Sequence, residues 1–258
     1  MAKTKRLKTL TAGRLVYAVC YTQALPSDGL KQRQAKAHYS TLARQALNFR
    51  AAWQKLRLLL LCNFTRYDLY ITFGYDDSHL PPNRKAAKKA AQGFIDKLRA
   101  QRRKTGDSLK YVYNTQELQD DGTRRLHHHL IINAGAGRQD FDLIRSLWDK
   151  GDNVEIGFLS ANGRYSDDFL EIAQYFCRER NPDSGVCSVG DKCWVSSRNL
   201  AKPIPESYMV SDNVTVTAPP GAYIIDTDHK QNNYGSYDYI VYMLPEAIPK
   251  PKSRRRIT

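Results

Sequence analysis

The chain has 258 residues, enough for one sizeable domain with an extension or for two smaller ones. Its 40 Lys and Arg against 26 Asp and Glu leave a net charge of +14, which favours a polyanionic partner, nucleic acid first. No apolar run approaches the ~18–20 residues of a membrane span, and "MAKTKRLK" lacks the apolar stretch of a secretory signal, so no membrane partner and a cytoplasmic location are expected.

In chain order, residues 1–14 read as a basic tail and "RLVYAVCYTQ" as a short strand. From Gly29 to Cys62 the pattern is helical. Leu42, Ala46, Phe49, Trp53, Leu56 and Leu60 recur at three- and four-residue steps, and the other face carries Arg33, Lys36, Arg44, Arg50, Lys55 and Arg57. "DLYITFGYDD" (68–77) is rich in strand formers and is broken by "HLPP". An amphipathic helix follows, capped by Asn83 and stopped by Gly106. "LKYVYNTQE" predicts a strand, "LQDDGTRR" a turn and "RRLHHHLIIN" (124–133) a second strand. "FDLIRSLWDKG" predicts a helix ending at Gly151, "NVEIGFLS" a strand, and "SDDFLEIAQYFCRER" a helix opened by a Ser166 cap. Beyond Asn181 the chain is loop-rich. Strands are expected near "CWVSS", "NVTVT", "AYIIDT" and "YDYIVYML", ahead of a basic tail.

Cys20, Cys62, Cys177, Cys187 and Cys193 form an odd set without a CxxC, as reduced cytosolic thiols would. Cys187 and Cys193 share a loop-like segment, where a metal or a disulfide is the alternative. The element order predicts an α+β fold with a largely antiparallel sheet. Three parts are expected: a basic tail and helical extension over 1–62, a main domain over 63–245, and a basic tail over 246–258.

Three of the six histidines stand together in one strand. Alternate side chains share a face, so His127 and His129 point one way and His128 the other. Two imidazoles ~6–7 Å apart at Cβ can converge on one metal ion. A three-residue turn of Asp121, Gly122 and Thr123 would set Glu117 opposite His127 and complete a three-ligand site; a register one residue off would set Gln116 there. Two imidazoles and a carboxylate suit Zn²⁺, Fe²⁺, Mn²⁺ or Mg²⁺.

"LHHHLIIN" resembles the H-U-H motif of rolling-circle replication initiators. "LYITFGYDD" is similar to their first motif, and "IAQYFCRE" to their third, a helix bearing a nucleophilic tyrosine with a basic residue three places on. With "LKYVYNTQE", "LWDKG" and "SSRNLAKP", the ordered set over residues 40–205 resembles replication-associated proteins of phage and prophage type. The resemblance implies an HUH endonuclease core of ferredoxin-like or RRM-like kind, with helices packed on an antiparallel sheet. It implies a nickase that starts rolling-circle DNA replication through a 5′-phosphotyrosine, with Mg²⁺ or Mn²⁺ at His127, His129 and Glu117. Tyr175 would be the nucleophile and Arg178 its phosphate-binding neighbour. Tyr175 fits, because Phe169, Ile172, Ala173 and Phe176 form an apolar stripe and leave it on the other side with Arg178.

The third motif has one tyrosine, with Tyr165 ten residues upstream. Lys85, Lys88, Lys89, Arg198 and Lys202 are candidates for contacts with single-stranded or origin DNA. Tyr234, Tyr237, Tyr239 and Tyr242 suit either base stacking or strand packing. No GxxxxGK[ST] appears, so a helicase and a polymerase are expected from a bacterial host. The competing readings are a nucleic-acid-binding protein without chemistry and a relaxase or transposase of the same fold. Relaxases place the tyrosine before the histidines, whereas here it follows by 46 residues.

Overall fold

The computed structural model describes residues 5–22, 42–135, 139–184, 186, 192–232 and 235–245. Its elements, in chain order, are β1 (Lys5–Ala12), β2 (Leu15–Thr22), α1 (Leu42–Asn63), β3 (Leu69–Phe73), α2 (Arg84–Lys104), β4 (Tyr111–Leu118) and β5 (Arg124–Ile132). They continue with α3 (Gln139–Leu147), β6 (Val154–Phe158), α4 (Leu170–Cys177), β7 (Val195–Ser196), β8 (Ile204–Val210), β9 (Tyr223–Asn232) and β10 (Gly235–Met243). The fold is α+β with two five-stranded antiparallel sheets, as the element order predicts.

The chain divides into two compact units, one of residues Gln32–Lys202 and one of Met1–Lys31 with Pro203–Thr258. The latter holds the sheet β8-β1-β2-β10-β9. Residues 5–12, expected in a basic tail, are instead a strand paired on both edges, with β2 and with β8. Alternation buries Ala18, Cys20 and Ile240 on one sheet face, where directly paired residues share a side. "NVTVT" forms no strand, and Lys5 and Cys20 both donate to the Val214 carbonyl within it. Tyr234, Cys187 and the first part of the expected Gly29–Cys62 helix lie outside the described residues. Tyr237, Tyr239 and Tyr242 are in β10.

The larger unit is built on the sheet β6-β3-β5-β4-β7. One face packs against α2 and α3 through Phe73, Phe94, Leu98, Leu130, Ile132 and Ile144. The other packs against α1 and α4 through Leu60, Tyr70, Val112, Ile131, Ile172 and Phe176. Consecutive β5 residues therefore belong to different cores. The Asn83 side chain accepts from Ala86 N at 3.0 Å, the expected cap of α2. Gly106, at φ 78°, takes the left-handed turn just beyond its end.

Two cations read as solvent-facing are buried instead. Arg57 is 3 % exposed and pairs with the Asp168 carboxylate and carbonyl. Arg102, also 3 % exposed, pairs with Asp140 and the Asn133 carbonyl. Removing either carboxylate would leave an uncompensated buried guanidinium, a loss of about 3–5 kcal/mol. Among the described residues no helix is long and apolar enough to cross a membrane.

Candidate active site

His128 belongs to the α2 side of the sheet. It is fully buried between the Tyr75 hydroxyl, 2.6 Å from Nε2, and Thr115 Oγ1, 3.0 Å from Nδ1. Burial lowers its pKa to about 3, so it is a neutral packing residue.

His127 and His129 face the opposite side, with ring centroids 4.9 Å apart. His127 Nδ1 lies 2.8 Å from the Arg125 carbonyl. A carbonyl only accepts, so Nδ1 carries the proton and Nε2 keeps its lone pair. His129 Nδ1 lies 3.2 Å from Oγ1 of Thr72, its cross-strand neighbour on β3. Burial lowers both pKa values, and so holds both rings neutral at neutral pH. Imidazoles oriented through Nδ1 and neutral at Nε2 are prepared metal ligands.

Glu117 is not the third member. The register sets Gln116 opposite His127, Asn114 opposite His129 and Leu118 opposite Arg124, with a bulge between Gln116 and Leu118. The turn spans 119–123 rather than three residues; Gln119 N donates to the Thr123 carbonyl, and Gly122 sits at φ 84°. The cause of the bulge is Glu179, whose carboxylate accepts from the Glu117 and Leu118 amides at 2.5 and 2.7 Å. Glu117 itself pairs with Arg84, which also holds Glu179 and the Thr115 carbonyl. Among the described residues no three His, Cys, Asp or Glu side chains gather in metal-binding geometry. The Gln116 amide oxygen, buried opposite His127 without a hydrogen-bond partner, fits the place of a third ligand.

Asn114 and Gln116 also dock α4. Their side-chain amides donate to the carbonyls of Phe176 and Tyr175, at 3.0 and 2.9 Å, satisfying acceptors that a helix end leaves open. The apolar stripe of Phe169, Ile172, Ala173 and Phe176 is buried as expected. The helix starts later than the Ser166 cap implied, after Phe169 in the left-handed region (φ 55°), with Asp168 Oδ1 accepting from Leu170 N. Tyr175 is half-buried. Its hydroxyl lies 3.2 Å from His129 Nε2 and 3.2 Å from Asp120 Oδ1. Burial pushes its pKa up to about 12. The Tyr165 hydroxyl instead donates to Asp167.

Arg178 donates to the Asp120 carboxylate and to the Leu118 carbonyl. Arg164 donates to the other Asp120 oxygen at 2.7 Å. These groups border a cavity of about 620 Å³ that reaches Thr72, His127, His129, Asp120, Arg164 and Tyr175. Asp120, Arg164, Thr72 and Glu179 are not among the residues that sequence reasoning singles out, because each acts across a fold that brings distant segments together. The strand pattern of "LYITF" carries one usable signal for Thr72: it is the polar residue of an otherwise apolar strand.

Residues 68–179 match the family model of the replication-associated protein ORF2. The matched segment is shorter than half the chain, yet it contains every group around the cavity just described. The match supports a relationship to replication-associated proteins. No curated protein and no solved structure significantly matches the chain.

The expected DNA-contact residues are dispersed. Lys85 and Lys89 are exposed and Lys88 is half-buried on α2, on the sheet face away from His127 and His129. Arg198 is exposed and lines a second groove, of about 790 Å³, with Arg99 and Arg103. Lys202 is exposed. Ser197 is committed to the sheet: its Oγ accepts from Tyr111 N at 3.1 Å. Cys193 and Cys177 are free thiols.

Proposed function

We propose that the chain is an HUH-type nickase and strand transferase that initiates rolling-circle DNA replication. The observation that carries this reading is the Tyr175 hydroxyl 3.2 Å from Nε2 of His129, beside a second imidazole with its own Nε2 lone pair. A structural tyrosine needs only one partner for its hydroxyl and no paired, neutral imidazoles beside it.

His127, His129 and the Gln116 amide oxygen would hold the ion, Mg²⁺ or Mn²⁺. When bound, the ion withdraws charge from the phosphate oxygens. Thr72 and the Arg125 carbonyl fix the two rings. Asn114 and Gln116 hold the end of α4, and so set the height of Tyr175 over the sheet. With its pKa raised, the phenol is neutral at working pH and loses its proton as it attacks. His129 Nε2 and Asp120 Oδ1 are the acceptors within reach. A bond forms between the tyrosine oxygen and phosphorus, and the bond from phosphorus to the 3′ oxygen breaks. The leaving oxygen gains a proton and becomes a primer end. The phosphotyrosine conserves the phosphodiester, so the strand can be rejoined without ATP.

The test is incubation of the protein with single-stranded DNA and Mn²⁺, followed by a denaturing gel. A covalent protein–DNA species is expected, and chelator should prevent it. Strand cutting without any adduct would make water the nucleophile and refute the tyrosine mechanism.

DNA affinity is expected to fall steeply with salt, given the net charge of +14. For single strands each neutralised phosphate contributes about −0.7 to the slope of log K against log salt. Replacing Lys85, Lys88 and Lys89 with Ala should flatten the slope by up to ~2, while leaving cutting at saturating DNA unchanged, because α2 lies on the far face of the sheet. Binding titrations across a salt series check this; an unchanged slope would show α2 to be a solvated face only.

A further inference from the structure

The geometry points to a phosphate cradle formed by Arg164 and Arg178, which the Asp120 carboxylate occupies until a DNA phosphodiester displaces it. Only the identity of the anion rests on the strand-transfer reading. Neither Arg164 nor Asp120 is needed to hold the fold: Arg164 is 40 % exposed and Asp120, in the β4–β5 turn, is 56 % exposed. Yet the two arginines reach the same carboxylate from different segments, one oxygen each.

Both guanidinium carbons also lie over the Tyr175 ring, 4.1 and 4.3 Å from its centroid. The tyrosine hydroxyl donates to the oxygen that Arg178 holds. An oxyanion is thus held by two guanidiniums in hydrogen-bond contact with the candidate nucleophile, at the rim of the histidine cavity. A phosphodiester undergoing attack by Tyr175 needs the same surroundings: donors on its non-bridging oxygens and the phenol oxygen close by.

Arg178 has a further donor that Asp120 does not use. Its Nε is buried and lacks an acceptor. A buried donor left unsatisfied is costly, more so when charged, so it favours an anion with more oxygens than a carboxylate offers. Burial tends to raise the Asp120 pKa, but the bonds from Arg178 and Arg164 outweigh it and hold the group ionised. Asp120 therefore competes with DNA as a full negative charge. Phosphate entry exchanges one anion for another, and the turn carrying Asp120 moves away from the arginines.

The experiment is binding of a fluorescent oligothymidylate in chelator, where no cutting occurs, followed by anisotropy. Asp120→Asn keeps the shape and removes the competing charge, and should tighten binding about tenfold. Glu171→Gln, an exposed site on α4, removes the same formal charge elsewhere and should change affinity less than twofold. Arg164→Ala should weaken binding, and in that background Asp120→Asn should lose most of its gain. Arg164→Lys should restore affinity only in part, since an ammonium lacks the planar fork. Unchanged or weaker binding by Asp120→Asn would overturn the inference. So would a gain of equal size with and without Arg164, or an equal gain from Glu171→Gln. The adduct assay runs separately: coupling without adduct sinks the nickase reading and spares the cradle, while adduct without coupling does the reverse.

Discussion

Tyr175→Phe is expected to fold, bind metal and bind single-stranded DNA nearly as the parent does, and to form no covalent adduct. The substitution keeps the ring, and with it the contacts to His129, Arg164 and Arg178. It removes one hydroxyl, whose two alternative acceptors are Asp120 and His129. The net stability of such a bond is about 0.5–1.5 kcal/mol, and Asp120 keeps its two arginines, so the fold survives. Transfer to the protein should fall by about 10⁴-fold or more, as when a nucleophile is removed from a cooperating set. Protease digestion of the parental adduct and mass spectrometry of the nucleotide-bearing peptide would place the bond. A nucleotide on Tyr165 would move the site to a residue whose hydroxyl faces Asp167 and not the histidines.

What can be read from sequence is what depends on local periodicity. Alternation in β5 separates His128 from its neighbours, and the two cores on either side of the sheet follow from the same rule. Three- and four-residue spacing in α4 places Tyr175 away from the buried stripe. Asn83 and Gly106 bound α2 by their own chemistry. The failures have one physical origin, partners far apart in the chain. The β4–β5 register looks like a matter of turn length, but Glu179, 62 residues beyond Glu117, takes two amides out of the ladder and shifts it. Arg57 reads as one more cation of a basic face until Asp168 meets it, 111 residues on. β1 carries enough Lys and Arg to resemble a tail, and only its pairing with β2 and β8 makes it a strand. Tyr175 is visible in the sequence as a surface tyrosine. The anion held beside it is not, because Asp120 and Arg164 sit in turns without periodicity.

The shifted register sets up a sharp test of the metal site. His129→Ala should abolish cutting while leaving most DNA binding, which rests on Lys and Arg. Gln116→Ala should also be severe and Glu117→Ala mild, since the Glu117 carboxylate is spent on a partly exposed pair with Arg84, a class of contact worth about 0–1 kcal/mol. Activity alone does not separate ligation from positioning, because the Gln116 amide also holds the Tyr175 carbonyl. Thermal unfolding with and without Mn²⁺ separates them. An ion at about 100 times its Kd stabilises the folded state by about 2.7 kcal/mol, or about 5–10 °C for a unit of this size. The shift should persist in Glu117→Ala and vanish in His129→Ala. Gln116→Glu keeps an oxygen at the site but loses the donor to Tyr175, so it should retain the Mn²⁺ shift while losing cutting. If Gln116→Ala kept the full shift and Glu117→Ala lost it, the ligand would be Glu117 after all, and metal binding would have to pull the bulge out of β4 and break the grip of Glu179 on its amides.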